Sequence, residues 1–248
     1  MSLKKKLNRI LRPFNVELHG MGYLQSLAKG EFKKDEFDYF REKFEHKSVV
    51  IYDVGANRGT TVDKFLQFSP ASRIIAFEPY PPLAQEILKK YAQHANIVID
   101  NSGISNVKGE LLFYVNKGVD TSSFLPPKLT GLNSDAQVKN TEQITVPVKT
   151  IQDSFTENNL SRIHILKLDI QGSELNALKG AENLLKDKKI DIIYTEAYFI
   201  QQYQDQPLFP EIAGYLLNLG YQLQDIYNPI YGKGKLAWCD AIFVRDDL

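Results

Sequence analysis

The sequence predicts an α/β protein: a mostly parallel, Rossmann-like sheet with helices on both faces. Three observations carry that expectation. From residue 48 onward, short β-branched apolar runs alternate with helical stretches, as in repeated βαβ units. Acids stand where these runs end: Asp53, Glu78, Asp100, Asp169 and Glu196. A glycine loop, GANRG at 55–59, follows the first run. In such sheets ligands bind beyond the carboxyl ends of the strands, where strand order reverses. The acids and the loop are therefore the first residues to weigh.

The elements follow in order. Residues 3–14 place Leu3, Leu7, Ile10, Leu11 and Phe14 at helical spacing, with Lys4, Lys5, Lys6, Arg9 and Arg12 largely between them. The favoured reading is a docked helix with a solvated basic face; peripheral contact with an anionic membrane surface is the second. Another helix is expected at about 35–44. SVVIYDV at 48–54 reads as a buried strand and 60–68 as a helix. RIIAFE at 73–78 is the next strand, then a helix near 82–93, then a strand at 96–100. Two more strands, 109–115 and 144–149, flank a polar stretch containing Gly118, Pro126, Pro127 and Gly131. That stretch is too long for a tight turn and reads as a lid, a substrate loop or a disordered segment. A short helix at 151–158 leads to a strand at 163–169, a helix at 173–186, a strand at 190–196 and a helix at 209–219. Strands at 220–227 and 240–244, joined by NPIYGKGK, close the chain as an antiparallel pair.

Composition bounds the function. The 248 residues fit one sizeable domain with a small extension. Thirty basic and thirty acidic residues cancel, which argues against a nucleic-acid partner held by a broad basic surface. One cysteine, Cys239, leaves no intramolecular disulfide. No apolar run approaches the length of a membrane span, and the first residues lack a secretory signal's pattern. A cytoplasmic protein is the expectation, and a homo-oligomer is compatible with it.

The loop itself narrows the ligand. Dinucleotide sites use closely spaced glycines so that backbone can approach a pyrophosphate. Here Gly55 and Gly59 are farther apart, Asn57 stands between them, and Thr60 opens the following helix. Asp53 precedes the loop, where it would repel a pyrophosphate and attract a cation. S-adenosylmethionine carries an ammonium and a sulfonium. Glu78 ends the second strand, where a carboxylate accepts hydrogen bonds from ribose hydroxyls. Pro79 fixes the backbone after it. Asn101 and Ser102, beside Asp100, are candidates for the adenine amino group, although turn formation explains those residue types equally well.

YDVGANRGTT, AFEP, the LKLDIQGSELNALKGA run at 166–181, IIYTE and the closing CDAIFV together resemble the FkbM family of S-adenosylmethionine-dependent methyltransferases. The resemblance covers roughly 45–245. It implies a class I methyltransferase domain at 45–248 behind a helical extension at 1–44, with seven strands, one of them antiparallel. It also implies O-methylation, often of a sugar or polyketide hydroxyl. TSSF at 121–124 resembles a Ser-Ser feature that such proteins carry between two extra strands.

Methyl transfer to a hydroxyl needs alignment and removal of a proton, through a base or a metal. Asp169 is the first candidate, Glu174 the second and Glu196 the third. Glu174 also fits a helix's first turn for its dipole alone. Asp169 and Glu196 could instead share Mg²⁺, an oxygen-ligand ion. Lys167, two residues before Asp169, points to the same face of the strand; it pairs with an acid, meets substrate or packs its stem. Tyr198, Phe199 and Tyr203 suit a sugar ring and suit loop packing equally. The acceptor expected is a hydroxylated sugar, glycan precursor or small metabolite. N-methylation, a polyketide or peptide acceptor, and a non-catalytic donor-binding protein are the alternatives.

Overall fold

The computed structural model describes residues 35–44, 47–128 and 142–248. The amphipathic stretch at 3–14 and the middle of the polar insert lie outside them. Helix α1 (Glu36–Phe44) precedes β1 (Val50–Val54), α2 (Thr60–Phe68), β2 (Arg73–Phe77), α3 (Pro81–Lys90) and β3 (Ile97–Asp100). Next come β4 (Gly103–Ile104), β5 (Gly109–Val115), a 3₁₀ turn (Val119–Thr121), β6 (Glu142–Lys149) and α4 (Ile151–Glu157). The chain ends with β7 (Ile163–Leu168), α5 (Glu174–Lys179), α6 (Glu182–Lys186), β8 (Ile190–Tyr198), α7 (Phe209–Asn218), β9 (Tyr221–Gly232) and β10 (Lys235–Arg245).

Seven strands form one sheet in the order β3-β2-β1-β7-β8-β10-β9. β10 runs antiparallel to both β8 and β9 and so alone opposes the other six strands. This is the arrangement that the family resemblance implies. Strand order reverses between β1 and β7, so the loops after β1, β2, β7 and β8 converge at one edge.

The strands are apolar on both faces because both faces are covered. Tyr52, Val54, Phe77, Leu166 and Leu168 point to one core, with residues of α4 to α7. Ile51, Ile74, Ala76, Ile165 and Ile192 point to the other, with α1, α2 and α3. Full burial of each such side chain contributes about 1.5–3 kcal/mol. Helix α1 joins this second core through Phe37, Phe40 and Phe44, and Phe40 meets Tyr194 edge-on with ring centres 5.6 Å apart.

Three details depart from the sequence expectations. The inserted pair β5–β6 gains a third strand, β4, which pairs parallel to β6; two residues carry no periodic pattern to reveal it. The helix expected at 173–186 breaks into α5 and α6. Gly180 lies at the break, where a Cβ would come within 2.2 Å of the Ser105 carbonyl oxygen. The final strands extend through most of NPIYGKGK to a two-residue turn, with Lys233 at φ 51° and Gly234 at φ 78°. Pro229 is tolerated because β9 is the sheet edge.

Candidate functional site

The loop after β1 is shaped by its glycines. Gly55 adopts φ 81°, and a Cβ there would lie 2.0 Å from the Asp169 carbonyl oxygen. Its absence lets the β1 loop pass directly against the β7 loop. Gly59, at φ 74°, turns the chain into α2, and a Cβ would strike the Tyr91 hydroxyl at 2.5 Å. Gly59 and the exposed Thr60 thus serve the turn and are not part of the cavity lining. Asn57 does line it. Its backbone N–H donates to Glu78 Oε2 at 2.9 Å, and its side chain donates to Asp120 Oδ1 at 2.9 Å.

Asp53 is fully buried, and its charge is already matched. Lys167 Nζ lies 3.0 Å from Asp53 Oδ1 and donates to the Gly55 carbonyl at 3.0 Å. The same ammonium is 3.6 Å from Asp169 Oδ2. Burial pulls the Lys167 pKa down, but Asp53 and then Asp169 outweigh it and hold the ammonium above its ordinary range. Of the readings open for Lys167, the ion pair is the one realised. Asp53 itself is absent from the cavity lining.

Glu78 has the position expected for a ribose ligand. It lines the cavity and is nearly buried, with Oε1 accepting from Tyr80 N at 2.9 Å and Oε2 from Asn57 N. Each oxygen keeps a further lone pair for a hydroxyl. Burial pushes its pKa up, against the two backbone donors. Pro79, Tyr80, Leu83, Ser102, Gly103 and Ile104 continue the wall around it. Ser102 Oγ donates to Asp100 Oδ1 at 2.6 Å. Asn101 points elsewhere: its amide donates to the Glu78 carbonyl at 2.8 Å and so fixes the turn.

The acids of β7 and β8 follow. Asp169 and Glu196 both line the cavity, whereas Glu174 does not. The buried Glu174 Oε1 accepts from Ile170 N at 3.0 Å and Gly172 N at 3.2 Å. It holds the DIQG turn in shape, which makes it a scaffold of Asp169. Burial pushes its carboxyl to about 7 despite those donors. Glu196 Oε2 accepts from Tyr198 OH at 2.7 Å and Gln171 Nε2 at 2.9 Å. Burial, then the charges of Asp169 and Glu174, raise the Glu196 carboxyl well above its ordinary range.

The cavity has a volume of about 240 Å³. Its donor set fits a nucleoside bearing a cationic chain. Glu78, Gly55, Asn57 and the half-exposed Asp169 line it together with the apolar Leu83, Ile104, Phe113 and Phe124. Gly103 lies beneath Phe124, whose ring a Cβ would meet at 2.3 Å. A metal fits less well. Among the described residues no three His, Cys, Asp or Glu side chains are grouped to hold one, and Gln171 bridges Asp169 and Glu196.

Gln171 is the residue that sequence reasoning missed. Its Nε2 donates to Asp169 Oδ1 at 3.1 Å as well as to Glu196. Nothing in DIQGSE beyond adjacency to Asp169 signals it. Asp120, Ser122 and Phe124 of the polar insert also line the cavity; the TSSF resemblance points to part of this. Tyr198 and Tyr203 are buried hydrogen-bonding groups, and Phe199 stacks on Phe209 with centres 5.0 Å apart.

The chain is similar to several known proteins. The Methyltransferase FkbM domain matches residues 53–223. The 2-O-methyltransferase NoeI of Sinorhizobium fredii is 27% identical over 171 residues, covering 66% of this chain and 67% of that protein. The hexuronic acid methyltransferase AglP of Haloferax volcanii is 24% identical over 149 residues, covering 60% of this chain and 56% of that protein. A solved rRNA methylase of Streptococcus thermophilus superposes with a TM-score of 0.48 at 10% identity, covering 86% of this chain and 98% of that one.

Proposed function

Because this chain belongs to the FkbM methyltransferase family and is an S-adenosylmethionine-dependent methyltransferase, we propose that it methylates a hydroxyl of a sugar, glycan precursor or small hydroxylated metabolite. One observation carries the reading. Two carboxyl groups bridged by Gln171, Asp169 and Glu196, line the same cavity as Glu78. A 2-O-methyltransferase and a hexuronic acid methyltransferase among the relatives support it.

The bound donor supplies an electrophilic methyl group on a sulfonium. Glu78 takes the ribose hydroxyls, Asn57 and Gly55 present backbone beside the donor's chain, and Lys167 holds Asp53 and Asp169 in place. The acceptor oxygen gains the methyl carbon as the carbon–sulfur bond breaks and a neutral thioether leaves, and Asp169 is assigned to take the hydroxyl's proton. Burial and the neighbouring acids favour the neutral form of Glu196. Both hydrogen bonds to it land on Oε2, so Oε1 is left to hydrogen-bond the acceptor and orient it. No step is routed through a metal.

The test is a methyl-transfer screen over sugar nucleotides, uronic acids and small hydroxylated acceptors, with and without a chelator. The expected result is a methyl ether formed equally well in both. Transfer confined to amines would overturn the acceptor assignment, and loss of activity with chelator would overturn the metal-free chemistry.

A further inference from the structure

Val119, Asp120, Ser122 and Phe124, from the strap at 116–125, line the cavity. Three contacts fasten this strap. Asp120 accepts from the Asn57 side chain. Ser123 Oγ donates to the Gln171 carbonyl at 2.7 Å. The Tyr203 hydroxyl lies 2.8 Å from the Thr121 carbonyl and 2.8 Å from Gln171 Oε1. Two of the three end on one residue.

Gln171 meets the strap with its main chain and, through Tyr203, with its side chain. A side-chain amide offers two N–H donors and one carbonyl acceptor, and all are engaged. The donors go to Asp169 and Glu196, and the carbonyl oxygen lies 2.8 Å from the Tyr203 hydroxyl and 3.1 Å from that of Tyr198. The acceptor oxygens of Asp169 and Glu196 set the orientation of the amide by taking its N–H groups. The residue is held at φ 55°, a left-handed conformation that is strained for a non-glycine residue and persists only where contacts enforce it.

We propose that Gln171 is the positioning residue through which the closed strap sets Asp169 and Glu196 at the methyl-transfer end of the cavity. The proposal rests on the reading of this cavity as the donor site. The strap engages Gln171, and Gln171 fixes the separation and orientation of the two carboxyl groups, so covering the donor and arming the acceptor side are one event.

The probe is S-adenosylhomocysteine, titrated by calorimetry into wild-type protein, Ser123→Ala, Gln171→Ala and the double variant. Hydrogen exchange of the 116–125 amides is followed with and without the ligand. Each single substitution is expected to weaken binding about tenfold, the scale of one or two lost hydrogen bonds. The double variant should lose less than the product of the two single losses, because the main-chain bond from Ser123 and the side-chain bonds of Gln171 hold one closed strap. Ligand-induced protection of the strap should be lost in Gln171→Ala. Tyr203→Phe, which removes a single hydroxyl, should reduce that protection without disturbing the core and serves if Gln171→Ala folds poorly. If the two single effects multiply in the double variant, or strap protection survives Gln171→Ala or Tyr203→Phe, the positioning role is overturned while the donor site stands. If wild-type protein does not bind the ligand, the donor-site reading itself fails.

Discussion

Lys167 Nζ lies 3.0 Å from Asp53 Oδ1, with both side chains almost wholly removed from solvent. Asp53 lies one residue before the end of β1 and Lys167 lies on the adjacent β7, paired with it in register. A buried carboxylate without a partner costs several kcal/mol, and breaking a buried pair from one side typically costs about 3–5 kcal/mol. Lys167→Met is expected to destabilise the protein on that scale in a denaturant titration. Asp53→Asn combined with Lys167→Met should cost less than Lys167→Met alone. Additive losses would show that the pair is not the reason Lys167 is buried.

Glu78 makes a second prediction. Glu78→Gln removes the charge and leaves one of two backbone N–H groups, Asn57 or Tyr80, without its acceptor. S-adenosylhomocysteine affinity should fall by about tenfold or more, since hydrogen bonds to charged groups contribute about 1.5–3 kcal/mol. An unchanged dissociation constant in calorimetry would remove Glu78 from the ribose site.

The glycine loop gives a third. Gly55→Ala places a methyl 2.0 Å from the Asp169 carbonyl oxygen at a positive φ, so the β1 and β7 loops must separate. Stability should drop by about 2 kcal/mol or more and ligand binding with it. Gly214→Ala in α7, where nothing lies within 4 Å of the added carbon, should be neutral or slightly stabilising. Equal thermal shifts in the two variants would contradict this.

A fourth concerns pH. Burial raises the Glu174 carboxyl from 4.5 to about 7. The folded state therefore binds more protons than the unfolded chain between those values, and stability falls as pH rises through that window. Glu174→Gln keeps an acceptor for Ile170 N and Gly172 N but cannot ionise, so its stability curve should be flatter from pH 4.5 to 7. A curve parallel to wild type would place the titration elsewhere, with Glu196 or Asp240, whose carboxyl burial raises to about 6.

Much of the fold was legible because strands covered on both faces leave long apolar runs, as in IHILKL and IDIIY. The site was legible where chemistry sits at a strand end. Asp169, Glu196 and Glu78 reach the cavity because every parallel strand delivers its last residues to the same edge. Sequence position alone did not reveal direction. Asp53 lies near a strand end too, yet a lysine from the next strand claims it. Asn101, Gly59 and Thr60 occupy the right loops and turn to backbone or solvent. Glu174 supports Asp169 from beneath, a role that its helix-start position left open. Gln171 was hidden because its partners come from β8, the loop beyond it and the strap, which only the folded chain brings together.

The most direct test of the central claim is to supply an isotope-labelled methyl donor with the hydroxylated acceptors and identify the product bond by mass spectrometry and NMR, comparing wild type with Asp169→Asn. Label should appear as a methyl ether, with turnover in Asp169→Asn reduced by about a hundredfold or more, the scale of one positioned acid–base group, and S-adenosylhomocysteine affinity within a few-fold of wild type. Label on nitrogen, or an Asp169→Asn variant that transfers methyl as fast as wild type, would contradict it.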